Sequence, residues 1–212
     1  VIMKAETFFT ETDKKRIVDA VREAELITAG EIAVMVVDQS DAYPEGQMLA
    51  GAVIGSLLAL AVTELFWTGS LWVFVVSALV LMALCGWLVH YLPAVKRFFT
   101  PNDRLELQVR DRALASFYDK GLHKTRDESG VLFFISLFEH KVWVLADRGI
   151  YEKIRPETLQ AYAHDIAAGI KVGKAADILC QSIADVGDLL ARHFPVKPDD
   201  SNELANEVII GQ

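Results

Sequence analysis

Residues 46–92 read GQMLAGAVIGSLLALAVTELFWTGSLWVFVVSALVLMALCGWLVHYL, and the rest of the chain has to be arranged around them. The only formally charged residue in this stretch is Glu64. Two apolar runs, Met48–Thr63 and Leu71–Val89, flank the polar break Thr68-Gly69-Ser70. A helix needs about 20 apolar residues to cross roughly 30 Å of hydrocarbon, and either run reaches that with its neutral neighbours. The expected structure is a transmembrane hairpin, out near Gly46–Leu65, turning at Phe66–Ser70 and back through Leu71–Leu92. The alternative is a pair of helices buried in a soluble protein. Against it stand the aromatics: Trp67 and Trp72 at the turn, and Tyr43, Trp87 and Tyr91 towards the other end, as interfacial belts require.

The flanks set the orientation. Lys96, Arg97, Arg104, Arg110 and Arg112 follow the hairpin closely, while the turn has no Lys or Arg. Basic residues near membrane ends stay cytoplasmic, and Asp or Glu weigh little in this rule, so Glu31, Asp38, Asp41 and Glu45 do not oppose it. Both termini and the soluble part are expected on the cytoplasmic side of the inner (plasma) membrane, with the lipid bilayer as the first partner. Outside residues 46–92 enough chain remains for one compact domain. It is expected as residues 1–45 and 93–195 of one α/β domain split by the hairpin, with 196–212 as a tail.

The net charge of −8 and a pI near 5.1 lack the basic footprint that nucleic acid needs. Cys85 falls inside the second span and Cys180 in a helical pattern, so no disulfide is expected, in keeping with a cytoplasmic compartment. The first 30 residues read as an amphipathic helix rather than a signal peptide. Thr10 caps that helix, Ile17, Ala20, Val21, Ala24 and Ile27 line its apolar face, and Gly30 ends it. Residues 31–38 form a strand that is apolar on both faces, so it is central and covered.

After the hairpin, Thr100-Pro101-Asn102-Asp103 starts a helix whose face carries Leu105, Val109, Ala113 and Phe117. Val131–Phe138, the turn Glu139-His140 and Lys141–Asp147 read as a two-residue β-hairpin. That turn would set Leu132 opposite Asp147 and Val131 opposite Arg148. Both faces of the hairpin are apolar, so each needs a covering helix layer. Helices from Pro156 and over about Lys174–His193 supply cover, with Gly173 between them. Val208-Ile209-Ile210 suits a short edge strand or a docking segment. The fold class is therefore α/β, a small mixed sheet sandwiched between helix layers and interrupted by the transmembrane helical hairpin.

No phosphate loop, HExxH, GxSxG or paired CxxC is present, and the histidines have no metal-ligand spacing. The β-hairpin does gather Asp147-Arg148-Gly149 beside Glu128-Ser129-Gly130, with the loop of His123, Lys124, Arg126 and Asp127 entering there. Asp147 and Glu128 suit a hard cation, Ca²⁺ or Mg²⁺, and Arg148 and Lys124 suit a phosphate or carboxylate. A salt-bridged cluster closing the sheet end explains the same residues. In the apolar stretch, Gln47, Gly51, Gly55 and Ala59 recur every four residues. Small residues permit close helix contact, either within the hairpin or between copies through Gly51, Gly55 and Ala59.

Several segments resemble the TPM domain family: TAGEIAVMVV at Thr28–Val37, GLHKTRDESGVLFFISLFEHKVWVLADRGIYEKI at Gly121–Ile154, the GI-x-x-G-x-x-AD turn at Gly169–Asp177, and RHFPVKPDDSNEL at Arg192–Leu204. They are most similar to its bacterial membrane branch, in which a two-span hairpin follows the first strand. The resemblance implies an α/β sandwich. It places Asp147, Arg148 and Gly149, with Glu31 and Gly130, at matching motif positions, as candidate ligand-binding residues. Other branches are linked to photosystem II repair, to acid phosphatase activity with calcium binding and to receptor modulation, mostly with the domain outside the cytoplasm. The functional expectation is a membrane-tethered interaction or quality-control module serving a membrane-protein partner. The rival is a Ca- or Mg-dependent phosphatase-like hydrolase.

Overall fold

The computed structural model describes residues 4–67, 70–196 and 208–211. In chain order these are α1 (Ala5–Phe8), α2 (Glu11–Glu25), β1 (Glu31–Val37), α3 (Pro44–Trp67), α4 (Leu71–Val89), α5 (Pro93–Phe98) and α6 (Asn102–Asp119). There follow β2 (Gly130–Ser136), β3 (Lys141–Ala146), α7 (Arg148–Tyr151), α8 (Pro156–Lys171), α9 (Ala175–Ala191) and β4 (Val208–Gly211). The chain divides into two compact units, one of Asp41–Glu106 and one of the remainder, and the division falls inside α6.

The larger unit is built on a four-stranded mixed sheet in the order β3-β2-β1-β4. β1 runs parallel to both β2 and β4, and β2 is antiparallel to β3. Alternation along the strands sends Ile32, Val34, Val36, Val131, Phe133, Ile135, Val142, Val144 and Ala146 to one face, where they pack with α2, α8 and α9. Met35, Val37, Leu132 and Phe134 turn to the other face, against Val109, Ala113 and Phe117 of α6 and Leu122. Every residue of β2 is buried, as a central strand covered on both faces must be. The α/β sandwich expected from the sequence is the architecture found.

Two local expectations need correction. The β2–β3 register is Val131↔Ala146 through Ser136↔Lys141, so Leu132 faces Leu145 and not Asp147. The connection is longer than two residues because β2 leaves β3 while still bonded to β1. Leu137 N–H donates to Val37 O at 3.1 Å and Phe138 N–H to Asp38 O at 2.9 Å. His140 then takes φ +52°, and Glu139 is fully buried. Since the shift is by an even number of residues, every side chain keeps its face. The opening helix also stops early, at Glu25, so Ile27 lies beyond it and is exposed rather than part of its buried face. Its start matches the expectation. Asp13 N–H donates to Thr10 Oγ1 at 3.1 Å and Thr10 N–H to Asp13 Oδ2 at 3.2 Å, a reciprocal cap.

The smaller unit is an antiparallel helix pair with a neck. Glycines set its contact: a Cβ on Gly51 would lie 2.8 Å from Gly86 Cα, and one on Gly55 2.6 Å from Met82 Cα. Ala59 is fully buried as well. The small-residue face of Gly51 and Gly55 thus meets α4, the contact within the hairpin that the spacing allows. Gln47 Nε2 donates to Gly86 O at 2.9 Å, and the hydroxyls of Ser56, Thr63 and Ser77 donate to carbonyls of their own helices. At the neck, Arg104 binds Glu45 at 2.9 Å and Asp41 at 3.1 Å, so the chain returns to where it left.

Both helices are long and apolar enough to cross a membrane. At about 1.5 Å per residue they measure about 36 Å and about 28 Å. Only 28% of the α3 span and 17% of the α4 span is buried. Met48, Leu65, Trp72 and Leu79 are each more than 60% exposed, on helices apolar all round.

Candidate functional site

The acid-and-base end of the sheet forms where β1 and β2 begin and β3 ends. Glu31 and Gly130 are register partners, and Asp147 N–H donates to Gly130 O at 2.9 Å. Asp147 then caps α7: its Oδ1 accepts from Arg148 N–H at 2.7 Å. Its Oδ2 is buried and has no protein partner among the described residues. Glu31 is itself almost wholly buried.

The loop before β2 is held tightly. Ser129 N–H donates to Thr125 Oγ1 at 2.9 Å and Ser129 Oγ to Ala29 O at 3.1 Å. Glycines let neighbouring backbones close on one another here. A Cβ on Gly149 would sit 2.7 Å from Asp127 O and 2.8 Å from Glu128 O, and one on Gly130 would collide with Leu122 O. The glycines of this motif therefore serve backbone packing first.

The structure thus gathers Glu31, Gly130, Asp147 and Gly149, with the backbone of Glu128 against them. It does not bring Arg148 to these carboxylates. Arg148 pairs with Glu152 at 3.0 Å, both side chains being mostly exposed, and not with Asp147 or Glu128. Lys124 and the Glu128 side chain are exposed, and Glu128 has φ +50°. His123 turns its ring to Tyr118, centroids 4.9 Å apart, with Nδ1 buried and unpartnered among the described residues. Among those residues no group of three or more His, Cys, Asp or Glu side chains is placed to hold an ion. Asp147 Oδ2 remains a carboxylate oxygen ready to accept one more bond, from a donor or a hard cation.

Sequence reasoning missed the polar cluster at the opposite end of the sheet. Glu139 and Ser136 are buried; Ser136 Oγ donates to Glu139 Oε2, and Ser40 N–H donates to Glu139 Oε1 at 2.8 Å. Ser40 Oγ lies 2.9 Å from Ser136 Oγ. Reading Glu139 as a turn residue hid it; the only available signal was an acid placed between two apolar strands.

The chain is similar in fold to the NMR structure of the BA42 protein from the psychrophilic bacterium Bizionia argentinensis sp. nov., with a TM-score of 0.60. The match covers 98% of this chain and 99% of that one at 22% identity, a likeness that shows the fold alone. No family model and no curated protein matches the sequence.

Proposed function

We propose that this chain is a TPM-like α/β domain tethered to the inner membrane by α3 and α4, facing the cytoplasm, where it serves a membrane-protein complex as an interaction or quality-control module. One observation carries the reading: the apolar side chains of both helices are exposed, and hydrocarbon is the solvent that suits them. Patches of exposed apolar surface beyond a few hundred Å² are otherwise rare on soluble monomers. The polar side chains of the hairpin support it further, since Gln47, Ser56, Thr63 and Ser77 all find acceptors within the helix pair. The neck returns both ends to one side, and the basic residues Lys96, Arg97, Arg110 and Arg112 favour the cytoplasm for that side.

Among the described residues no nucleophile is recorded beside a base at the sheet end, and Arg148, which could offset phosphoryl charge, pairs with Glu152. A binding role therefore accounts for the residues better than phosphoryl chemistry does. The test is cross-linking of the tagged full chain in intact membranes, followed by purification in mild detergent. A reproducible integral-membrane partner is the expected product. Turnover of a phosphomonoester by the purified chain with Ca²⁺ or Mg²⁺, abolished by Asp147→Asn and with no partner recovered, would overturn it.

A further inference from the structure

Between the apolar hairpin and α6 lies a short helix that hydropathy alone does not mark. α4 ends at Val89, and the residue before a proline is turned away from helical angles. Leu92, before Pro93, takes φ −117° and ψ 77°, so α5 begins as a separate helix after the turn His90-Tyr91-Leu92. It packs back on the first turn of α3. A Cβ on Gly46 would lie 3.0 Å from Lys96 O and would collide with Thr100 Oγ1. In that same turn Gln47 bonds Gly86 O, close to the end of α4. α5 therefore sits at the level where α3 and α4 come to their neck-side ends.

The exposed apolar surface of α4 runs on across the break. Leu84, Trp87, Leu88, Tyr91 and Leu92 are all exposed, and Phe98 in the last turn of α5 is 83% exposed. Trp87 and Tyr91 meet edge to face, centroids 5.4 Å apart, and Phe98 meets Phe99 in the same way. α5 contains no acid. Lys96 is turned inward, its ammonium 5.8 Å from the ring centre of Tyr43, and that tyrosine, expected in an interfacial belt, is fully buried. The neck carboxylates Asp41 and Glu45 are held by Arg104.

We propose that α5 is an interfacial anchor: it lies between the headgroups and acyl chains of a phospholipid leaflet, with Phe98 inserted and Ala94 on the same exposed face. Helices of this kind bury their apolar face about 5–10 Å into that boundary, where Trp and Tyr are also favoured. A phospholipid surface is the occupant because the patch is continuous with the exposed faces of the two candidate spans and stands at their ends. The inference rests on reading α3 and α4 as membrane spans, and goes beyond it by giving the chain a second, in-plane contact with lipid.

The test is depth-dependent quenching in phosphatidylcholine vesicles that contain phosphatidylglycerol. The full-length chain, in a cysteine-free background, carries one environment-sensitive fluorophore on Ala94→Cys or on Leu79→Cys, midway along α4. Lipids spin-labelled near the headgroup end of the acyl chain are expected to quench the Ala94→Cys probe at least two-fold more than lipids labelled at the chain terminus. The order should reverse at Leu79→Cys. Adding Phe98→Asp should lower quenching of the Ala94→Cys probe at least two-fold and leave the Leu79→Cys probe unchanged. An Ala94→Cys probe open to iodide but untouched by either lipid label would overturn the proposal. So would a probe shielded from iodide and both lipids, which means that protein covers α5, or one quenched most by the chain-terminus label, or a Phe98→Asp without effect. Quenching at Leu79→Cys in any of these cases confines the failure to α5; no quenching at either position removes the membrane reading as well.

Discussion

Single residues carry the local geometry on which the rest depends. The Thr10–Asp13 cap fixes where α2 begins, and the Thr10 hydroxyl, with a smaller contribution from Arg16, holds the Asp13 carboxyl below its ordinary value of 3.8. A lowered folded-state value means the stabilisation is complete above that ordinary value and is lost as pH falls through the lowered one. Thr10→Ala should cost about 1 kcal/mol at neutral pH in chemical denaturation. The same variant should show a shallower loss of stability below pH 4 than the wild type. Gly130→Ala places a methyl against the Leu122 carbonyl, which as backbone cannot swing aside; a loss of about 1–3 kcal/mol in the denaturation midpoint is expected.

At the scale of elements, the connection between β2 and β3 is the instructive case. Its buried Glu139 accepts from Ser40 N–H and Ser136 Oγ, so Glu139→Ala leaves the buried Ser136 hydroxyl and the half-buried Ser40 amide without that acceptor. The expected cost is about 1–3 kcal/mol, read by denaturation, with faster amide exchange at Ser40. The sequence pattern showed the faces of these strands correctly because alternation survives an even shift, but not their register. Register here depends on where the amides of Leu137 and Phe138 go, and they go to β1, a strand distant in sequence. The apolar hairpin was legible for the opposite reason: its composition alone distinguishes it. At the candidate site, the β-hairpin reading brought Asp147 and Gly149 beside Gly130, while Glu31 joined them only through the family resemblance and is placed there by its pairing with Gly130. The destination of Arg148 was not legible, because Glu152 competes for it one helical turn away, a contact that strand pairing does not reveal.

The whole molecule consists of a sheet domain and an apolar insert between β1 and β2. Among the described residues, the core clusters of the sheet contain none from Asp41–Glu106. Replacing residues 46–92 by a short Gly/Ser linker should therefore give a chain that is soluble without detergent and keeps its mixed α/β circular dichroism and cooperative unfolding. A chain that aggregates or unfolds would show that the insert is needed to build the domain.

The most direct test of the central claim is a labelling map in intact cells, using single cysteines at Glu11, Thr68 and Glu157 in a cysteine-free background and a membrane-impermeant maleimide. Thr68→Cys is expected to be labelled from outside, while Glu11→Cys and Glu157→Cys react only after the membrane is opened. A protected Thr68→Cys with Glu11→Cys and Glu157→Cys labelled from outside, or labelling of Glu11→Cys and Glu157→Cys from opposite sides, would contradict that claim.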